Sequence, residues 1–220
     1  MVQQLRRLLL LRFQNLNIDL FTTNYDFVLE NWLQGMSIAF ELGIELDYRN
    51  GITYWDFRKI AESDSRWRII KLHGSIDLYS TSDGRIIKLP TPTAGGSLVD
   101  GREIHEMLIY PTQQKTMENK PYCDMFKALV EAISQAKVLV FIGFNFNYND
   151  KHISEAVEKG IANNRQLKKV VVVKGHPEDS VKELLKIKGL GHKRIKGIAG
   201  LMPKREVVSE IVTTIREVLG

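Results

Sequence analysis

Apolar positions along this chain follow two different rhythms, one of helices and one of strands. A short strand-like run, Ile18-Asp-Leu-Phe-Thr22, precedes residues 25–42, where Phe27, Val28, Leu29, Trp32, Met36 and Phe40 fall at helical spacing on a broad face. Gly43 offers that helix a C-terminal stop. From 44 to 110 the helical rhythm disappears. Short β-type runs take its place, among them 68–72 and 85–89, with Ser82-Asp-Gly84 as a hairpin turn, and a Pro- and Gly-rich stretch follows through Asp100-Gly101. After Pro121 the pattern predicts a helix over 124–136, a continuous apolar strand over 137–142, a helix over 150–161, an apolar strand over 169–173 and a last helix over 203–219 with Pro203 in its first turn. Strands alternating with helices predict an α/β fold with parallel pairing, and residues 44–110 read as a small β-rich insertion in a single domain.

Composition narrows the classes without naming one. With 220 residues, 44% of them apolar and 26% charged, the chain can bury a sizeable core and has no bias toward disorder. The one cysteine, Cys123, excludes an intrachain disulfide framework and a cysteine-rich zinc site; it reads as a half-buried small hydrophobe near a helix start, in a reducing, cytoplasmic setting. Leu8 to Leu11 form a run too short to span a bilayer, with no small-residue cleavage site after it, so an amphipathic helix is expected there and no membrane partner. Between Lys182 and Arg205 basic residues outnumber the single acid, Glu183, and the net charge is +5. Aromatic residues for base stacking are absent from that stretch, which favours a solvated basic face over a nucleic-acid site.

Three segments carry candidate chemistry, because each places polar side chains or a glycine directly after a strand-like run. The first is Thr22-Thr23-Asn24-Tyr25-Asp26, at a strand-to-helix passage where backbone N–H groups are open to an anion; the same Asn and Asp serve equally as helix caps. The second is Lys71-Leu-His73-Gly-Ser75, whose imidazole at the rim of a sheet suits a general base near neutral pH or simply a polar niche. The third is Phe141-Ile-Gly143-Phe144-Asn145, where Gly143 lets a ligand approach the backbone and Phe144 flanks it, or where the asparagines supply turn chemistry. The remaining histidines show no paired ligand spacing, so no metal site is expected. In an open α/β sheet the carboxyl ends of strands line the ligand crevice, which gives all three segments one destination.

In this order, and with Tyr110-Pro111-Thr112, Lys115 and Asp150 between and after them, the segments resemble the sirtuin-like family of bacterial and archaeal proteins over residues from about 5 to about 175. The resemblance implies a Rossmann-like three-layer parallel sheet with helices on both faces, and NAD as ligand. It assigns Asn24 and Asp26, with Thr22 and Thr23, to the nicotinamide-ribose end of the cofactor and His73 to the catalytic histidine. Gly143, Phe144 and Asn145 are assigned to the loop at the phosphates and ribose, and Lys174 to the end of the next strand, near the adenosine ribose. Zinc-holding deacylases of the wider family use four cysteines; with Cys123 alone, the chain looks instead like the non-zinc branch, which includes NAD-consuming proteins of antiviral defence. The resemblance therefore implies an NAD glycohydrolase that uses no zinc, with a non-catalytic nucleotide-binding or scaffold module as the alternative. Residues 1–17 contain no glycine, whereas the family opens with a Gly-rich phosphate loop. The domain is thus expected to be N-terminally incomplete and weak in turnover, with a sheet edge open to self-association.

Overall fold

The computed structural model describes residues 16–48, 51–93, 96–109, 120–146, 150–202 and 204–220. The expected N-terminal helix, the Tyr110-Pro111-Thr112 segment with Lys115, the asparagines Asn147 and Asn149, and Pro203 lie outside these residues. The fold is mixed α/β, with parallel sheets and six α-helices among the described residues.

Strand β1 (Ile18–Thr22) pairs in parallel with β4 (Trp67–Lys71), residue for residue from Ile18 opposite Trp67 to Thr22 opposite Lys71. Asp19 and Arg68, partners in that register, form a two-pronged ion pair at 2.6 and 2.8 Å. The helix after β1, α1, is Val28–Gly35, much shorter than the apolar spacing from 25 to 42 predicts. It ends in a Schellman motif: Ser37 takes φ 54°, its N–H donates to Gln34 O at 2.8 Å, and Ile38 N–H reaches Leu33 O at 3.0 Å. The later apolar positions still pack, with Met36 and Ile38 buried, but as irregular chain. Gly43 does not end this helix; it holds φ +77° close against the carbonyl of Asp56.

An antiparallel six-stranded sheet in the order β2-β3-β6-β5-β8-β7 accounts for the β-rich stretch. Its strands are β2 (Ile44–Asp47), β3 (Ile52–Trp55), β5 (Gly74–Thr81), β6 (Ile86–Lys88), β7 (Leu98–Val99) and β8 (Arg102–Leu108), with a short helix α2 (Phe57–Glu62) after β3. Tyr79, Ile87 and Ile104 make its buried cluster. The Ser82–Gly84 hairpin forms as predicted, with Gly84 at φ +80°. The run 68–72, by contrast, supplies β4 and joins the parallel pair. The chain passes from the parallel pair to the antiparallel sheet in two residues, Leu72 and His73, followed by Gly74 at φ +82°. A side chain on Gly74 would lie 1.8 Å from the carbonyl oxygen of Met107, so only glycine fits.

Helix α3 (Tyr122–Gln135) contains the division between two compact units, which falls at Met125 and Phe126. Beyond it, β9 (Val138–Ile142), β10 (Lys169–Lys174) and β11 (Ile195–Ala199) form a parallel sheet in the order β11-β10-β9. Helix α4 (Lys151–Asn163) connects β9 to β10, α5 (Glu178–Leu185) follows β10, and α6 (Arg205–Leu219) closes the chain. Val171, Val173 and Ile198 pack on Val207 and Ile211 of α6, whereas Gly197 turns the opposite face of β11 to Pro177 and Val181 beside α5. Helices thus cover both faces, and Val170–Val173 are at most 1% exposed. Strand β9, apolar like β10, is only half-buried because it is the outer strand of this sheet among the described residues.

Candidate functional site

Within the unit ending at Met125, the structure brings the first two motif segments together. Backbone bonds stitch the turn after β1 to the corner between β4 and β5: Leu72 N–H donates to Thr22 O at 2.8 Å, and Ile76 N–H to Tyr25 O at 3.1 Å. Thr22 Oγ1 accepts from Asn24 N–H at 3.0 Å, which folds the turn and leaves the Asn24 side chain exposed. Asp26 Oδ1 accepts from Val28 N–H at 3.0 Å in an Asx turn ahead of α1, whose N-cap is Phe27 with no side-chain cap, so neither Asn24 nor Asp26 is the cap residue. Thr23 is half-buried beside them. His73 sits at the corner between the two sheets, only 8% exposed, and its carbonyl accepts from Ile109 N–H at 2.9 Å.

Beneath the two turns lies a buried charge network that the sequence did not single out. Lys71 Nζ pairs with Glu30 Oε1 at 2.6 Å, donates to Ser75 Oγ at 3.1 Å and also to the carbonyl of Asp26. Ser75 Oγ in turn donates to Asp77 Oδ1 at 2.5 Å, and Asp77 Oδ2 contacts Lys88 Nζ. Phe27 lies over both ammonium groups, with Nζ of Lys71 at 5.1 Å and of Lys88 at 5.3 Å from its ring centre. Burial lowers the Lys88 pKa from its ordinary value, and the neighbouring Lys71 lowers it further. Glu30 Oε2 has no hydrogen-bond partner among the described residues and lines a cavity of about 30 Å³ together with Lys71, Ser75 and Asp77. That space suits one water and is far too small for a nucleotide. The network ties the Asp26 carbonyl, α1 and β5 to one ammonium, so Lys71 holds the Asn24–Asp26 turn in place. Two signals pointed to it: Lys71 and Ser75 flank His73 in the motif, and Glu30 stands one helical turn after Asp26.

The third segment belongs to the unit from Phe126 on. Gly143 ends β9 at φ +67°, is exposed, and has open space where a side chain would stand. Its N–H donates to Val173 O at 2.8 Å, which sets Gly143 level with Lys174 at the end of β10. Lys174 Nζ donates to Asn145 Oδ1 and, at 3.5 Å, to Ser180 Oγ; Ser180 Oγ donates to Phe144 O at 3.4 Å. Phe144 and Phe146 meet edge to face at 4.9 Å, with Phe141 beside them. Gly143, Phe144, Asn145 and Lys174 are therefore gathered at the carboxyl ends of two adjacent parallel strands, where open α/β sheets take ligands. Ser180, buried and bonded to two of the four, was not expected from the sequence.

The basic stretch from 182 to 205 is a solvated face, with Lys182, Lys186, Lys188, Lys193, Arg194, Lys204 and Arg205 exposed. Lys196 is half-buried, and its Nζ donates to Thr214 Oγ1 at 2.9 Å and pairs with Glu210 at 3.2 Å on α6. After α5, Gly189 takes φ +88°, and the strand β11 that follows has too few apolar residues to be read in advance. Cys123 is half-buried in the first turn of α3, as expected. No helix among the described residues is long and apolar enough to cross a membrane. A family model described as a SIR2-like domain matches residues 19–192. No curated protein matches the chain.

Proposed function

The chain belongs to the SIR2-like domain family, and on that premise we propose that it binds NAD and cleaves the bond between nicotinamide and ribose. The observation that carries this reading is the pairing of the Asn24–Asp26 turn with the His73 corner, joined by backbone bonds and underpinned by Lys71. Such a pairing offers a base, an amide and a carboxylate to one end of a ligand. In hydrolysis the pair of electrons of the C–N bond leaves with nicotinamide, and the ribose carbon passes through an oxocarbenium-like centre. Asn24 orients the attacking water, His73 accepts its proton, and Asp26 stabilises the positive charge that develops on the ring. The resemblance gives Gly143, Phe144, Asn145 and Lys174 to the cofactor's phosphates and adenosine ribose, and NAD depletion of this kind fits a role in antiviral defence. Nicotinamide release by the purified protein tests the assignment. Activity that persists in both His73→Ala and Asn24→Ala would refute it.

A second reading is a non-catalytic nucleotide-binding or scaffold module. NAD binding with no nicotinamide release would select it.

A further inference from the structure

We infer that the carboxyl end of β10 takes a phosphate monoester on the ribose of the bound nucleotide, so that the site prefers an NADP-type ligand to NAD. The inference rests on the NAD-type reading above and narrows its ligand. Lys174 is the last residue of β10, half-buried and level with the exposed Gly143 of β9. An ammonium has three donors. Two of them are engaged here, on Asn145 Oδ1 and Ser180 Oγ, and both acceptors are neutral. No carboxylate among the described residues pairs with Lys174: Asp179, in the first turn of α5, pairs with Lys182 instead, and Glu178 is exposed. Among the described residues, the side chain is therefore a fixed cation without a carboxylate partner and with a donor to spare. Its neighbours position the charge without cancelling it.

The position gives that charge its meaning. Where a dinucleotide crosses the carboxyl ends of parallel strands, an acidic side chain at a strand end reads the free hydroxyl of the ribose, and a basic one reads a phosphate ester there. β10 ends in a lysine. Gly143 alongside presents bare backbone and open space, so a ribose can approach within reach of Nζ. The pyrophosphate common to both dinucleotides is the other source of the same chemistry, and comparison of ligands with and without the monoester separates the two.

The test is calorimetric titration of the full chain with NAD and with NADP, repeated on Lys174→Gln and Lys174→Arg. One charge-assisted contact predicts NADP binding about ten- to a hundredfold tighter than NAD. Lys174→Gln should abolish the difference between the ligands, and Lys174→Arg should keep it. Equal affinity of the unaltered protein for the two ligands overturns the inference, as does a preference that survives Lys174→Gln. A Lys174→Gln variant that loses affinity for both in equal measure assigns the lysine to the pyrophosphate and overturns it too. If NAD binds without any NADP preference, only this inference falls; if neither binds, the NAD-type reading falls with it.

Discussion

Replacing Lys71 with methionine should destabilise the unit ending at Met125 by about 3–5 kcal/mol, the usual cost of leaving one member of a buried ion pair alone. The side chains of Lys71 and Glu30 are 7% and 10% exposed and meet at 2.6 Å. Exposed pairs such as Lys182–Asp179, at 73% and 85%, contribute about 1 kcal/mol or less. Removing the ammonium deprives Glu30 Oε1 of its partner while Oε2 already has none among the described residues, and it frees the Asp26 carbonyl and Ser75 Oγ as well. All three tryptophans, Trp32, Trp55 and Trp67, lie in this unit, so their fluorescence during urea unfolding reports on it directly. With a slope of about 2 kcal/mol/M, the midpoint should fall by roughly 1.5–2.5 M. The double variant Lys71→Met/Glu30→Leu should be more stable than Lys71→Met alone, because no buried charge is left unpaired. A loss under about 1 kcal/mol in the single variant, or a double variant as unstable as the sum of the two singles, would refute the argument that this pair is buried and coupled.

Ser37→Gly should stabilise the same unit by about 0.5–1 kcal/mol, since glycine adopts the left-handed conformation at φ 54° without strain; an unchanged urea midpoint would count against the Schellman ending. Gly74→Ala should prevent soluble folding or lower the melting temperature severely, because its methyl would lie 1.8 Å from Met107 O, whereas Gly143→Ala, with open space, should cost only about 1 kcal/mol. Asn164 donates to Ile133 O and Ala136 O at 2.5 and 2.8 Å and accepts from Gln166 N–H and Leu167 N–H at 2.8 and 2.7 Å. Asn164→Asp turns the donor side into an acceptor facing two carbonyls, and circular dichroism should show a loss of about 2–3 kcal/mol. Asp56 caps α2 through Arg58 N–H at 2.9 Å, and the Arg58 guanidinium holds its carboxyl below the ordinary 3.8. The unfolded chain therefore binds the proton more readily: the contribution of Asp56 is complete above 3.8 and is lost as pH falls through the lower folded value. Asp56→Ala should cost about 1 kcal/mol at neutral pH and flatten the acid limb of a stability–pH profile; an equally steep limb would show that other carboxylates set it.

Much of the architecture was legible because it depends on local rhythm. The runs at 137–142 and 169–173 are apolar without alternation, as a strand covered on both faces requires, so β9 and β10 could be read with their helices, although only β10 is fully covered. The motif segments were legible for a related reason: polar residues after a strand are visible in one dimension, and so are the spacings that resemble a family. Where α1 ends was not, because Ser37 in a left-handed conformation carries no sequence signature and the apolar residues after it pack equally well as irregular chain. β11 was hidden because Gly197 and Lys196 are poor strand residues whose presence follows from what lies across from them, Pro177 on one face and Thr214 on the other. Likewise, only folding decided that Lys71 would meet Glu30, Ser75 and the Asp26 carbonyl, or that Lys174 would rest on Asn145 and Ser180 with no carboxylate partner among the described residues. A lysine in a sequence is a charge of unknown surroundings. Its neutralisation and burial depend on residues far along the chain, and those are set by the register of the sheets rather than by any local preference.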